Sequence, residues 1–148
     1  MAVEARALGL QDALRAAKLE EAPVIPCSLS EAGGYQGIGR LLKEHRGVSA
    51  VFAARDAIAH GALRRLKEEG VKVPDDLSIV GFDDDSVSAY VDPPLTTVAL
   101  PLRRLGNLAA KMLQEIINTP EIGHARIRLK HRLVVRASVS ATRGDVQA

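Results

Sequence analysis

"LSIVGFDDDSVSAYVDPPLTT" (residues 77–97) contains an apolar run that stops at three adjacent carboxylates, Asp83, Asp84 and Asp85. The run 77–82 is short, apolar and partly β-branched, which fits a strand buried on both faces. Like charges side by side repel, and an unpaired carboxylate inside a buried strand is costly. Either all three are solvated, or one of them faces something the protein holds. Asp83 comes first after the strand and lies nearest its mouth. Position alone leaves both readings open for it, whereas Asp84 and Asp85 read as solvated turn residues. A metal site is a weaker reading, because no His or Glu stands nearby in sequence.

The flanking segments decide the fold class. "VSAVFAA" (48–54) reads as a second buried strand, followed by Asp56 at an N-cap position and a helix on which Ile58, Ala62 and Leu66 recur every four residues. Gly70 is placed to close that helix. Upstream, "APVIPCS" (22–28) is apolar and carries two prolines, so it reads as a strand near a sheet edge. Ser28 and Glu31 form an S-x-x-E capping box, with Ser30 as a rival cap, before a helix to about His45 whose apolar face is Ile38, Leu41 and Leu42. The first helix, about 3–18, shows Leu10, Ala13, Leu14 and Ala17 on one face. Downstream, "LTTVAL" is extended, and Pro101 opens a helix with Leu102, Leu105, Ala109, Met112, Leu113 and Ile116 in phase. "NTPEIGH" (118–124) is a loop, "ARIRLKHRLVVRASVS" is one long strand or two, and the tail 141–148 looks frayed.

Alternation of helix and strand at this spacing means right-handed βαβ units. The predicted fold is α/β, a parallel sheet flanked by helices. Such a unit ordinarily opens with a strand, and this chain opens with a helix. The expectation is a piece whose leading strand lies upstream of Met1.

Bulk properties exclude several classes. At 148 residues the chain has the length of one domain, with 47% apolar and 26% charged residues, a composition of folded soluble protein. With 20 Lys+Arg against 18 Asp+Glu, a net charge of +2 gives no reason to expect a polyanionic partner. The single Cys27 can form no internal disulfide and fits a reducing compartment. No apolar run reaches the ~18 residues of a membrane span. "GGYQGIG" (33–39) lacks the phosphate-loop pattern, and close packing of its helix on a neighbour explains the glycines better. His45, His60, His124 and His131 show no metal-ligand spacing, and no serine or cysteine sits beside a base. The chain is therefore read as no enzyme, without a metal site or cofactor. The basic alternation Arg126, Arg128, Lys130, Arg132 and Arg136 reads as a solvated strand face, since the few aromatics give no stacking platform for single strands.

Ligands of open parallel sheets bind outside the C-terminal ends of the strands. Two such ends are visible, "FAARD" with Arg55 and Asp56, and "VGFDDD" with Asp83. A carboxylate accepts hydrogen bonds from neighbouring hydroxyls and a guanidinium donates to oxygens, so these residues suit a small polar ligand. For Asp56 the plain N-cap role stands beside the ligand role.

Five stretches, "EARALGLQDAL" (4–14), "GGYQGIGRLL" (33–42), the run 49–84 ending "VPDDLSIVGFDD", "DPPLTTVALPLRRLGNLAAKML" (92–113) and "RLVVRASV" (132–139), together resemble the effector-binding region of the lactose/galactose-repressor family of bacterial transcription regulators. The resemblance implies a two-lobed fold like that of periplasmic sugar-binding proteins, with a small-molecule effector clamped between the lobes. It assigns 1–98 to the C-terminal lobe, lacking its first strand, 99–131 to a crossover packing with the N-terminal lobe, and 132–148 to a return strand and tail. Losing the first strand, central in this architecture, would leave an apolar edge exposed. Arg6, Asp56 and Asp83 match family positions at the effector crevice. Arg55 departs from the Asn or other small polar residue many members carry. The resemblance also implies a cytoplasmic regulator, a homodimer through the C-terminal lobe with the Ile58, Ala62, Leu66 and Tyr90 region as interface, with burial of Ile58, Ala62 and Leu66 inside the monomer as an equal reading, and DNA contact only through an N-terminal domain absent here. A sugar-binding protein of a transport system, with the same fold, is the alternative.

Overall fold

Ile79 and Val80 sit at the middle of the sheet because their strand is paired on both sides. The computed structural model describes residues 2–119 and 126–141. The loop expected at 118–124, with His124, and the tail 141–148 fall largely outside them. The elements run α1 (Ala2–Ala16), α2 (Glu31–Glu44), β1 (Ala50–Phe52), α3 (Asp56–Glu68), β2 (Ser78–Asp83), a 3-10 turn (Ser86–Ala89), β3 (Thr96–Ala99), α4 (Leu102–Asn118) and β4 (Arg132–Val134). The sheet order is β1-β2-β3-β4; β1, β2 and β3 are parallel, and β4 returns antiparallel to β3. The predicted α/β class holds.

The core lies between this sheet and the α2–α3 pair. Leu66, Leu77, Ile79 and Leu95 are fully buried there with Ile38, Ala59, Ala62 and Leu63 around them. Each fully buried Leu or Ile contributes roughly 1.5–3 kcal/mol. Two helices approach this closely only where glycines face backbone. A Cβ on Gly34 would stand 1.9 Å from the Ile58 carbonyl oxygen, and one on Gly61 would stand 1.8 Å from that of Glu31. Packing, as expected, accounts for the glycine-rich stretch. Ala62 and Leu66 are core residues, so they cannot serve as contact side chains for a second copy. Of the two readings of these residues, burial inside the monomer holds and the interface role does not. Ile58 is half-buried against α2, while Tyr90 is 87% exposed.

Local signals were read with mixed success. Ser30, the rival cap, caps α2 by accepting from the Gly33 N–H at 3.1 Å; Ser28 does not. Gly70 closes α3 at φ +75°, with the Val71 N–H donating to the Leu66 carbonyl. The half-buried face of α1 is Val3, Ala7, Leu10 and Leu14; Ala13 and Ala17 are exposed. Segment 22–28 is extended but pairs with no strand among the described residues. Pro23 and Pro26 lack a donor, the Ala22 N–H donates to Gln11 Oε1, and Arg40 donates to the Pro26 carbonyl. Correspondingly, no strand among the described residues pairs with the outer edge of β1. Of the one long strand or two expected over 125–140, the described residues form only β4, after which Ser138 takes over the ladder. Its carbonyl accepts from the Ile79 N–H, its hydroxyl donates to the Ile79 carbonyl, and it accepts from the Thr96 N–H.

Burial pushes the Cys27 thiol up, more than nearby Arg40 lowers it. Less thiolate is present at a given pH, and thiolate is the nucleophile. Iodoacetamide should therefore alkylate Cys27 more slowly near neutral pH than a cysteine in an unstructured peptide, as a mass-spectrometric time course would show.

Candidate functional site

Strand β2 runs one residue beyond its apolar stretch, so Asp83 pairs with Ala99 at the C-terminal edge of the sheet. Its carboxylate is 11% exposed and lies between two guanidiniums. Arg55 Nε donates to Oδ2 at 3.0 Å, and Arg6 Nη2 donates to Oδ1 at 3.4 Å. Arg6 is held from three sides. Its guanidinium lies 3.7 Å from the centroid of Phe82, donates to the Ala54 carbonyl and reaches Asp83, which leaves its side chain 17% exposed. Phe82 is itself braced edge-on by Phe52 at 6.5 Å. Three separated stretches, α1, the loop after β1 and the end of β2, thus deliver Arg6, Arg55 and Asp83 to one point.

The backbone there is strained. Asp83 and Asp84 both take positive φ, 125° and 60°. A non-glycine residue in such a conformation costs roughly 1–3 kcal/mol and persists only where surrounding contacts over-determine it. Those contacts come from Asp56. It is fully buried, and its oxygens accept from Ser88 Oγ at 2.6 Å, Thr97 Oγ1 at 2.6 Å and the Asp85 N–H at 2.9 Å. The Ser88 proton is directed at Asp56, so Ser88 Oγ can only accept from His60 Nε2, 3.0 Å away. Gly81 makes room for this bracket, since a Cβ there would meet Asp56 Oδ1 at 2.2 Å.

Asp56 is thus neither the N-cap of α3 nor a group facing a ligand. Arg55 occupies the cap position, no side chain caps the helix, and Asp56 turns inward to fasten the loop after β2. Asp84 is not solvated either. Its carboxylate pairs with Arg136 at 2.7 Å and lies 3.8 Å from Arg132. Arg136 also donates to the Leu95 carbonyl at 2.8 Å, so it leaves the solvated strand face on which alternation placed it. Asp85 is exposed, as expected. Phe82, Thr97, Ser88 and Arg136 escaped the sequence reading. A signal existed only for Arg136, a lone cation set in the apolar run "LVVRAS".

Chemically, the arrangement is a rigid acceptor-donor pair at the mouth of a parallel sheet. Asp83 offers lone pairs to hydroxyls, and Arg55, with a half-exposed side chain, offers N–H groups.

The sequence matches the periplasmic binding protein-like domain family over residues 2–139. The ribose operon repressor of Haemophilus influenzae is 35% identical over 136 residues, which cover 90% of this chain and 41% of the repressor. The HTH-type transcriptional repressor PurR of the same species is 36% identical over 138 residues, with the same two coverages. Among solved structures, a LacI family transcriptional regulator from Enterococcus faecium with bound ribose superimposes with a TM-score of 0.86 at 36% identity, covering 93% of this chain and 52% of that one. This chain spans about two-fifths of the length of those curated relatives. By this match the chain belongs to the periplasmic binding protein-like domain family, as an effector-binding region of the lactose/galactose-repressor (LacI/GalR) type.

Proposed function

We infer that this chain supplies one wall of an effector crevice in a DNA-binding transcription regulator, and that the effector is a sugar or a related polyhydroxylated metabolite. One observation carries the reading. A carboxylate at the tip of a central strand is locked by two arginines on a strained backbone, at the place where open parallel sheets bind ligands. The solved relative with bound ribose supports the ligand class, and the repressor relatives support a binding module rather than an enzyme.

We assign 1–98 and 132–148 to one lobe and 99–131 to a crossover. In support, α4 has no buried residue and exposes Leu102, Leu105, Leu113 and Ile117, an apolar surface suited to cover by a second lobe. Effector binding would favour one arrangement of the lobes and so alter DNA affinity. Such a regulator works in the cytoplasm, where the DNA is, and no helix among the described residues is long and apolar enough to cross a membrane. A homodimer would use Tyr90 and neighbouring Val87, which are exposed, and not Ala62 or Leu66.

Asp83→Asn removes the charge and turns one acceptor into a donor. In the natural-length protein it should weaken effector binding by roughly 1–3 kcal/mol, about 5- to 150-fold. Unchanged calorimetric affinity in a folded variant would remove Asp83 from the site.

A further inference from the structure

We propose that the crevice selects an anionic sugar, one carrying a carboxylate or a phosphate ester, and that Arg55 is the residue that reads its charge. The inference rests on the assignment of Asp83 to the effector crevice and narrows the effector's chemical class.

Arg55 shares its acceptor with Arg6. Two guanidiniums face one carboxylate, and both carboxylate oxygens are already engaged. The two arginines are unlike. Arg6 is spent on Phe82, the Ala54 carbonyl and Asp83, and its side chain is 17% exposed. Arg55 gives only its Nε to Asp83, and its side chain stays 44% exposed. The terminal nitrogens of Arg55 have no protein acceptor among the described residues. A planar fork whose end-on edge, the two terminal nitrogens, is free matches the oxygens of a carboxylate or phosphate, which a lone hydroxyl does not.

The neighbouring acid is already paired and supplies no acceptor to Arg55. Asp84 is matched by Arg136 at 2.7 Å with Arg132 at 3.8 Å, again two cations to one anion. Beyond it opens a cleft of about 600 Å³, whose charged lining is Asp84 against Arg103, Arg104, Lys130 and Arg132. Asp85 is the remaining carboxylate of the triplet and is exposed. Closing a crevice over a neutral polyol would strip water from the terminal nitrogens of Arg55, which are only partly matched by lone hydroxyls, and that is costly. An anion on the ligand removes that cost and completes the pair.

The test is calorimetry on the natural-length protein with matched probes: D-ribose against D-ribose 5-phosphate, and D-galactose against D-galacturonate. The expected result is at least tenfold tighter binding of one anionic member than of its neutral twin. The phosphate and carboxylate pairs tell the two anion sources apart. Arg55→Asn frees Asp83 and should weaken binding of both twins, but the loss toward the anion should be at least tenfold larger than toward the neutral sugar, while Arg55→Lys keeps part of the preference. Equal or tighter binding of the neutral twin overturns the inference and leaves the sugar crevice standing. So does an equal loss for both twins in Arg55→Asn, the mark of a structural role. Binding of no probe overturns the sugar-crevice reading, and this inference with it.

Discussion

Replacing Asp56 by alanine should lower the stability of the protein by about 3–5 kcal/mol. The side chain is fully buried, and three donors converge on it from Ser88, Thr97 and the Asp85 backbone. Truncation strands all three, at roughly 1–3 kcal/mol for each group left without an acceptor, offset in part by water entering the gap. It also opens a void beneath Gly81, which the carboxylate now fills. Asp56→Asn keeps the volume and one oxygen but turns an N–H₂ toward the donors, so its loss should be smaller, near 1–2 kcal/mol. Urea denaturation of the three proteins should rank them wild type, Asn, Ala. A cost under about 1 kcal/mol for alanine would mean that the bracket is not what holds the loop. Because this loop carries Asp83 and Asp84 at positive φ, Asp56→Asn should also weaken effector binding without changing which effector is preferred.

The second large effect is expected at the contact between α2 and α3. Gly34→Ala places a methyl group 1.9 Å from the Ile58 carbonyl oxygen, and Gly61→Ala places one 1.8 Å from that of Glu31. Both obstacles are backbone, so no side-chain rotation gives relief and the helices must move apart. Overpacking of this kind costs about 3 kcal/mol, at the upper end of its usual range, which outweighs the ~1 kcal/mol that alanine gains over glycine as a helix former. The double variant should cost less than the sum of the two, because one separation relieves both clashes. Gly9→Ala in α1 is the control. Nothing lies within 4 Å of its added Cβ, so stability should rise by up to ~1 kcal/mol. Thermal melts of these variants decide between packing and helix propensity as the reason for the glycines.

The two predictions mark where sequence reading is strong and where it stops. Periodicity is a local property, and it placed α2, α3, β2 and β3, which bury one face or both, and also α4, whose apolar positions recur in phase although none of them is buried. The same logic located the strand ends, and with them Asp83 and Arg55 as neighbours at one rim. Segment 22–28 failed because apolar character is not a hydrogen-bond partner. A strand exists only where another strand takes up its backbone, and there two prolines and side chains of α1 and α2 do so in part instead.

Sequence by itself determined the layered α/β architecture, the glycine contact between two helices and the residues available at the mouth of the sheet. Only the tertiary structure decided what each of those residues does. Asp56 and Asp83 are both carboxylates at the mouths of adjacent strands, yet one turns inward to Ser88 and Thr97 and the other is held between Arg6 and Arg55. Which way a carboxylate turns depends on donors about 30 to 80 positions away in the chain, such as Thr97 for Asp56 and Arg6 for Asp83. Their convergence is set by sheet order and register, which no local pattern of residues encodes.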